Sequence, residues 1–152
     1  MTVDLAIPAK VALFDRLDEE AGSGRLPGIA IHYAYPGEVT DQVLVYGGGT
    51  RFVQEDDVAE QGLMIREIIA VSLYVRVVSR PACDVKETDL KAHAVGSLIG
   101  KVFIHNPQLA GPYTWLGIAS GMSDYSRSAD ETITILSYQM RIGTRLSWFD
   151  GQ

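Results

Sequence analysis

The chain holds a single cysteine, Cys83, in 152 residues. One cysteine excludes an internal disulfide framework. No apolar run reaches the roughly 20 residues needed to cross a bilayer, so no membrane span is expected. The chain does not open on a basic segment followed by an apolar stretch, and no signal peptide is expected. Positive charge is also short, with 13 Lys and Arg against 19 Asp and Glu, for a net charge of −6. Domains that clamp nucleic acid carry a basic patch or stripe. Tight phosphate binding is therefore not expected, whereas an acidic lining suits a surface that nucleic acid slides past. No internal repeat and no low-complexity tract is present.

The motifs of catalysis are missing as well. The run Gly47-Gly48-Gly49 invites a phosphate-loop reading, but no Lys-Ser or Lys-Thr follows at the spacing of G-x-x-x-x-G-K-S/T. In Gly117-Ile118-Ala119-Ser120-Gly121 the serine falls one place too late for a nucleophile elbow. Cys83 has His93 and His105 as its nearest histidines along the sequence, and neither reaches it locally, so a buried or half-buried thiol is the better reading. His32 has no other ligand type at metal spacing. Glu55, Asp56, Asp57 and Glu60 form the densest charge run, without the D-x-D-x-D-G spacing of a calcium loop. The residues thus point to a chain that is not an enzyme and holds no metal or cofactor. The competing reading is a small ligand-binding domain or enzyme built on His93, His105 and the acids.

Apolar residues make up 47% of the chain, an ordinary globular share, and the length predicts one domain over 1–152. From Arg66 to Val78 the odd positions Ile69, Val71, Leu73, Val75 and Val77 are all apolar. A period of two over that length predicts a strand with one face in a core, starting near Leu63. The even positions Ile68, Ala70, Tyr74 and Arg76 are mixed.

Residues 4–22 predict a helix, capped by Asp4 with Pro8 in its first turn, and an apolar stripe of Ile7, Val11, Leu13, Phe14 and Leu17. Two strands, at 29–35 and 43–46, are expected to pair as a hairpin. Residues 47–62 predict a long polar loop. A second helix starts at Asp84, with Glu87 placed for a capping box, and carries Leu90, Ala94, Val95, Leu98, Ile99, Val102 and Phe103 at helical spacing. Gly96 and Gly100 within it are expected to allow close approach to a sheet. Pro107 ends it. A strand at 113–120, a polar turn over 121–130 and a long last strand follow. In that strand Ile133 and Ile135 lie out of phase with Leu136, Tyr138, Met140 and Ile142, which predicts a bulge near Ile135. Trp148 and Phe149 are expected to be packed or in an interface.

The order of elements, Arg66-Glu67 at the start of the long strand, and Asn106-Pro107-Gln108-Leu109-Ala110-Gly111 after the second helix resemble the tail terminator, or tail completion, family of long-tailed bacteriophages. Many members have an acid where Asn106 stands, and Ala110 before Gly111 is a further departure. The resemblance spans about residues 4–149. It implies an α+β fold: a mixed, mostly antiparallel sheet with two amphipathic helices packed on it. It also implies a homohexameric ring in the virion neck, assembled in the host cytoplasm. Such a ring caps the tail tube, ends its polymerisation, and meets a head-proximal neck protein, while DNA passes through it. Arg66, Glu67, Ile68, Tyr74, Arg76, Trp148 and Phe149 are then candidates for the contact between subunits. Glu55, Asp56, Asp57 and Glu60 are candidates for a channel-lining or tube-contacting loop. Another neck component, a head-completion or stopper protein, is the nearest alternative.

Overall fold

The computed structural model describes residues 3–54, 58–60 and 63–145. The elements run α1 (Val3–Gly22), β1 (Ala30–His32), β2 (Val43–Gln54), β3 (Val58–Glu60), β4 (Leu63–Ser79), α2 (Val85–His105), β5 (Tyr113–Arg127) and β6 (Thr132–Arg145). All strands join one sheet in the order β1-β2-β4-β6-β5, with β3 pairing to β4 off that path. Among the described residues only β1 and β2 run parallel; the other pairings are antiparallel. The fold is α+β, a mixed and mostly antiparallel sheet with two helices on one face.

The central strand behaves as its alternation predicts. Ile69, Val71, Leu73, Val75 and Val77 are all buried to within 1% of full enclosure. They meet Leu13, Phe14 and Leu17 of α1 and Ala92, Ile99 and Phe103 of α2 in one cluster. Enclosing such side chains is worth roughly 1.5–3 kcal/mol each before conformational entropy is set against it.

The helices form where expected but present shifted faces. In α1 the sheet-facing line includes Ala6, Ala9 and Ala12, while Ile7 is 57% and Val11 41% exposed. Alanine has no bulk to hold the helix off the sheet, so the contact turns toward the small residues and leaves Ile7 and Val11 outside. In α2 the Asp84 carboxylate accepts from the Lys86 N–H at 3.2 Å, and the Glu87 N–H donates to the Asp84 carbonyl at 2.9 Å. The buried line is Thr88, Ala92, Val95, Gly96, Ile99 and Phe103. Leu90 and Leu98, expected in the stripe, are exposed, as is Ala94.

Four strand expectations need correction. First, β1 pairs with β2 in parallel, Ala30↔Leu44 to His32↔Tyr46, so the two are not a hairpin. The connection 33–42 carries the chain back to start β2 in the same direction, as a parallel pair requires. Second, most of the expected loop 47–62 is strand, because β2 runs on to Gln54 against β4 and β3 follows at Val58–Glu60. Gly47 and Gly48 serve close packing there, whereas Gly49 meets nothing within 4 Å. A Cβ on Gly47 would meet the Tyr33 carbonyl and come within 2.9 Å of Phe14, and one on Gly48 would lie 2.7 Å from the Tyr74 ring.

Third, β5 continues to Arg127 through the stretch expected to be a polar turn. The reversal is confined to 128–131, where the Ser128 N–H donates to the Glu131 carbonyl at 2.9 Å. Fourth, β6 has no bulge near Ile135: Ile135↔Arg76 and Leu136↔Val75 continue one register. Thr132 and Thr134 take the inward positions there and are fully buried. Their hydroxyls are satisfied by the start of α2. Thr132 Oγ1 donates to the Cys83 carbonyl at 2.8 Å. Thr134 Oγ1 donates to Asp89 Oδ1 at 2.7 Å and lies 2.7 Å from Thr88 Oγ1. A paired hydroxyl is tolerated in a core, so hydropathy alone assigns the wrong phase to this end of the strand.

Candidate assembly interface

Both helices pack on one face of the sheet, and the pairing register defines the opposite, outer face row by row. Residues directly across an antiparallel pair share a face. One outer row is Leu44–Arg76–Ile135–Asp124, the next is Tyr46–Tyr74–Ser137–Met122, and a third is Arg51–Ala70–Arg141. Tyr46 and Tyr74 stack with centroids 5.0 Å apart, and Tyr35 meets Tyr46 edge-on at 5.0 Å. Between these rows Gln139 Nε2 donates to Ser72 Oγ at 2.9 Å. Arg51, Arg76 and Arg141 make no ion pair with any described residue.

Tyr46 holds its proton above the usual phenol range. Burial is the main cause, the phenols of Tyr35 and Tyr74 add to it, and Arg76 opposes it. Burial likewise raises Tyr138. Tyr113 is raised by burial and then by the nearby charge of Glu67. On α1, Asp18 is raised by burial and by Asp15, with His32 opposing, and Lys10 is lowered by burial. The Lys10 ammonium lies 3.9 Å from the centre of the Tyr33 ring.

The structure divides the residues singled out from the sequence. Tyr74 and Arg76 are half-buried on the outer face, two positions apart. Ile68 shares that face but is only 2% exposed. Glu67 lies on the helix face, 7% exposed, in the row Glu67–Thr144–Tyr113. Its Oε2 and the Thr144 hydroxyl have no hydrogen-bond partner among the described residues. Arg66 and Glu60 are described by their backbone, in β4 and β3. Glu55, Asp56, Asp57, Trp148 and Phe149 lie outside the described residues.

Gly96 packs under Tyr138, as expected, whereas Gly100 faces open space. His93 and His105 are exposed and Cys83 half-buried. No group of three or more His, Cys, Asp or Glu able to hold a metal occurs among the described residues. No described helix is long and apolar enough to cross a membrane. Ile7, Val11, Ala110, Gly111 and Tyr113 line an open apolar groove of about 440 Å³ beside α1.

Two surfaces escaped the sequence reading. The tyrosine ladder needs the pairing of β2 with β4, and only Tyr74 stood out alone. The outer half of β5 carries Met122 and Tyr125, 71% and 62% exposed. Its signal was the absence of proline from 113 to 127.

No protein-family model and no curated protein matches the chain. Among solved structures, the fold is similar to a chain described as the virion of a native gene transfer agent (GTA) particle. The two are 15% identical, with a TM-score of 0.51, over 88% of this chain and 93% of that one. At that identity the likeness is one of fold.

Proposed function

We propose that the protein is a structural component of a phage-like virion. In this reading it forms a ring, with six copies expected, that caps the tail tube, ends its growth and forms part of the joint to the head. The observation that carries the reading is the fold likeness to the virion chain, which takes in nearly the whole of both chains. The Arg66-Glu67 landmark, the element order and the loop 106–111 support the finer assignment. A ring needs heterologous contacts that close on themselves, and the outer face, with Tyr46, Tyr74 and Arg76, offers a polar and aromatic surface for one. The ring threads DNA without reading its sequence, in keeping with the net charge of −6.

The test is genetic. Particles assembled without this chain should carry overlong tails, or tails without heads. Normal particles would refute the reading, and full heads beside tails of normal length would transfer it to a head-completion or stopper role.

A further inference from the structure

We infer that copies of this chain join through their sheets, the outer half of β5 in one copy adding as an antiparallel strand to the open part of β2 in the next. The inference rests on the ring reading and supplies its joint. β5 is the last strand of the sheet, and among the described residues only its first half is protected. There the Trp115 N–H donates to the Pro107 carbonyl at 2.8 Å, and the Leu109 N–H donates to the Tyr113 carbonyl at 2.9 Å. Register shifts also break that half, between Trp115 and Gly117 and between Ile118 and Ser120. From Ser120 to Arg127 the register is regular and every residue is exposed. A long edge without lysine, proline or bulge is a template for another strand, and Met122 and Tyr125 put apolar surface on it.

The opposite edge of the sheet has a matching gap. β1 covers β2 only at Leu44–Tyr46 and Tyr33 packs on Gly47, but over the regular stretch Thr50–Phe52, between two register shifts, β2 has no strand neighbour on that side among the described residues. Strand direction fits: β5 opposes β6, β6 opposes β4, and β4 opposes β2. A β5 edge therefore meets the β2 of a copy continuing the sheet in antiparallel sense.

Charge sets the register. Asp124 and Arg51 are exposed, both on the outer face, and neither is in an ion pair with a described residue. Placing Asp124 across from Arg51 also places Tyr125 across from Thr50 and Ser123 across from Phe52, and each of these pairs shares the helix face. Two β5 edges meeting each other do worse. Asp124 and Arg127 lie on opposite faces, in the rows of Ile135 and Thr132, so they cannot sit directly across, and the symmetric register centred on Asp124 sets it against itself. Like charges directly opposite destabilise a strand pair. The β5-to-β2 joint is head-to-tail, the type of contact that generates rings.

The test uses Asp124→Cys and Arg51→Cys, each made in the full chain carrying Cys83→Ser, with circular dichroism confirming the fold. Under mild oxidation the mixture should give a covalent dimer, and neither variant alone should. In the unmodified chain, amide exchange over 120–127 should slow on assembly. Cross-linking of the Asp124→Cys variant with itself overturns the joint. So does an assembled particle with neither mixed cross-links nor slowed exchange, and in both cases the ring reading stands. A chain that stays monomeric at every concentration, and in the presence of tail tubes, overturns both.

Discussion

The hydroxyl of Tyr138 on β6 occupies the space that a Cβ on Gly96 of α2 would need. The phenol ring is also close, its Cζ 3.2 Å from that position, so a side chain there must displace the whole ring. Gly100, one turn along the same helix, meets nothing within 4 Å. The two glycines should therefore respond to alanine with opposite signs. Gly96→Ala should lower stability by up to about 2 kcal/mol, overpacking costing about 1–3 kcal/mol against a helix-propensity gain of about 1. Gly100→Ala should raise it by about 0.5–1 kcal/mol. Urea unfolding midpoints check both, and a shift in the same direction for the two variants would contradict the packing described.

The cap of α2 is a second point of leverage. Asp84→Ala should destabilise by about 1 kcal/mol, because the orphan Lys86 N–H loses its carboxylate partner. Asp84→Asn keeps an acceptor and should recover most of the loss. Thermal melting of the pair decides it, and equal losses would show that charge rather than capping matters.

Alkaline titration should report the buried phenols. Tyr46, Tyr113 and Tyr138 hold their protons above the usual phenol value of 10.0. The native state then keeps protons that the unfolded chain gives up. Their contribution is complete below pH 10 and is lost as pH rises through the raised native values. Stability measured by denaturant at rising alkaline pH should fall, and Tyr138→Phe should make that fall shallower. An unchanged slope in the variant would refute the assignment of Tyr138.

The outer face is tested apart from the edge. Arg76→Glu changes a half-buried residue that makes no ion pair with a described residue, so its effect on monomer stability should stay within about 0.5 kcal/mol. If the face is a subunit contact, self-association by sedimentation should weaken at least tenfold. A ring that survives the charge reversal removes Arg76 from the interface.

Periodicity was most informative where one face is wholly apolar. The odd positions of β4 and the cap and end of α2 were legible because hydrophobic alternation and capping chemistry are local. The inward threonines of β6 were not, since Thr132 and Thr134 are acceptable in a core only through partners on α2, more than 40 residues away in sequence. The strand character of 47–54 was hidden for a related reason. Gly47 and Gly48 read as loop formers, yet they are required by Tyr33, Phe14 and Tyr74, which come from three other segments. Of the candidate interface, Tyr74 and Arg76 could be placed on one face by counting. Their partners Tyr46, Ser137 and Ile135, and the bare edge of β5, depend on strand order, which sequence spacing does not encode.

The place of β4 between β2 and β6 also orders events in time. Its β2 partner precedes it in the chain, but residues 132–145, which pair along its other side, are made more than 50 residues after Ser79. During synthesis β4 emerges with one edge satisfied and the other open. The intervening helix α2, capped by its own Asp84, can form before the final strand arrives. Contacts this distant in sequence make for slow folding, and an unpaired strand edge is where a growing chain is prone to join a neighbour wrongly. The same strand that anchors the finished core is thus the one most exposed to error until the last strand closes on it.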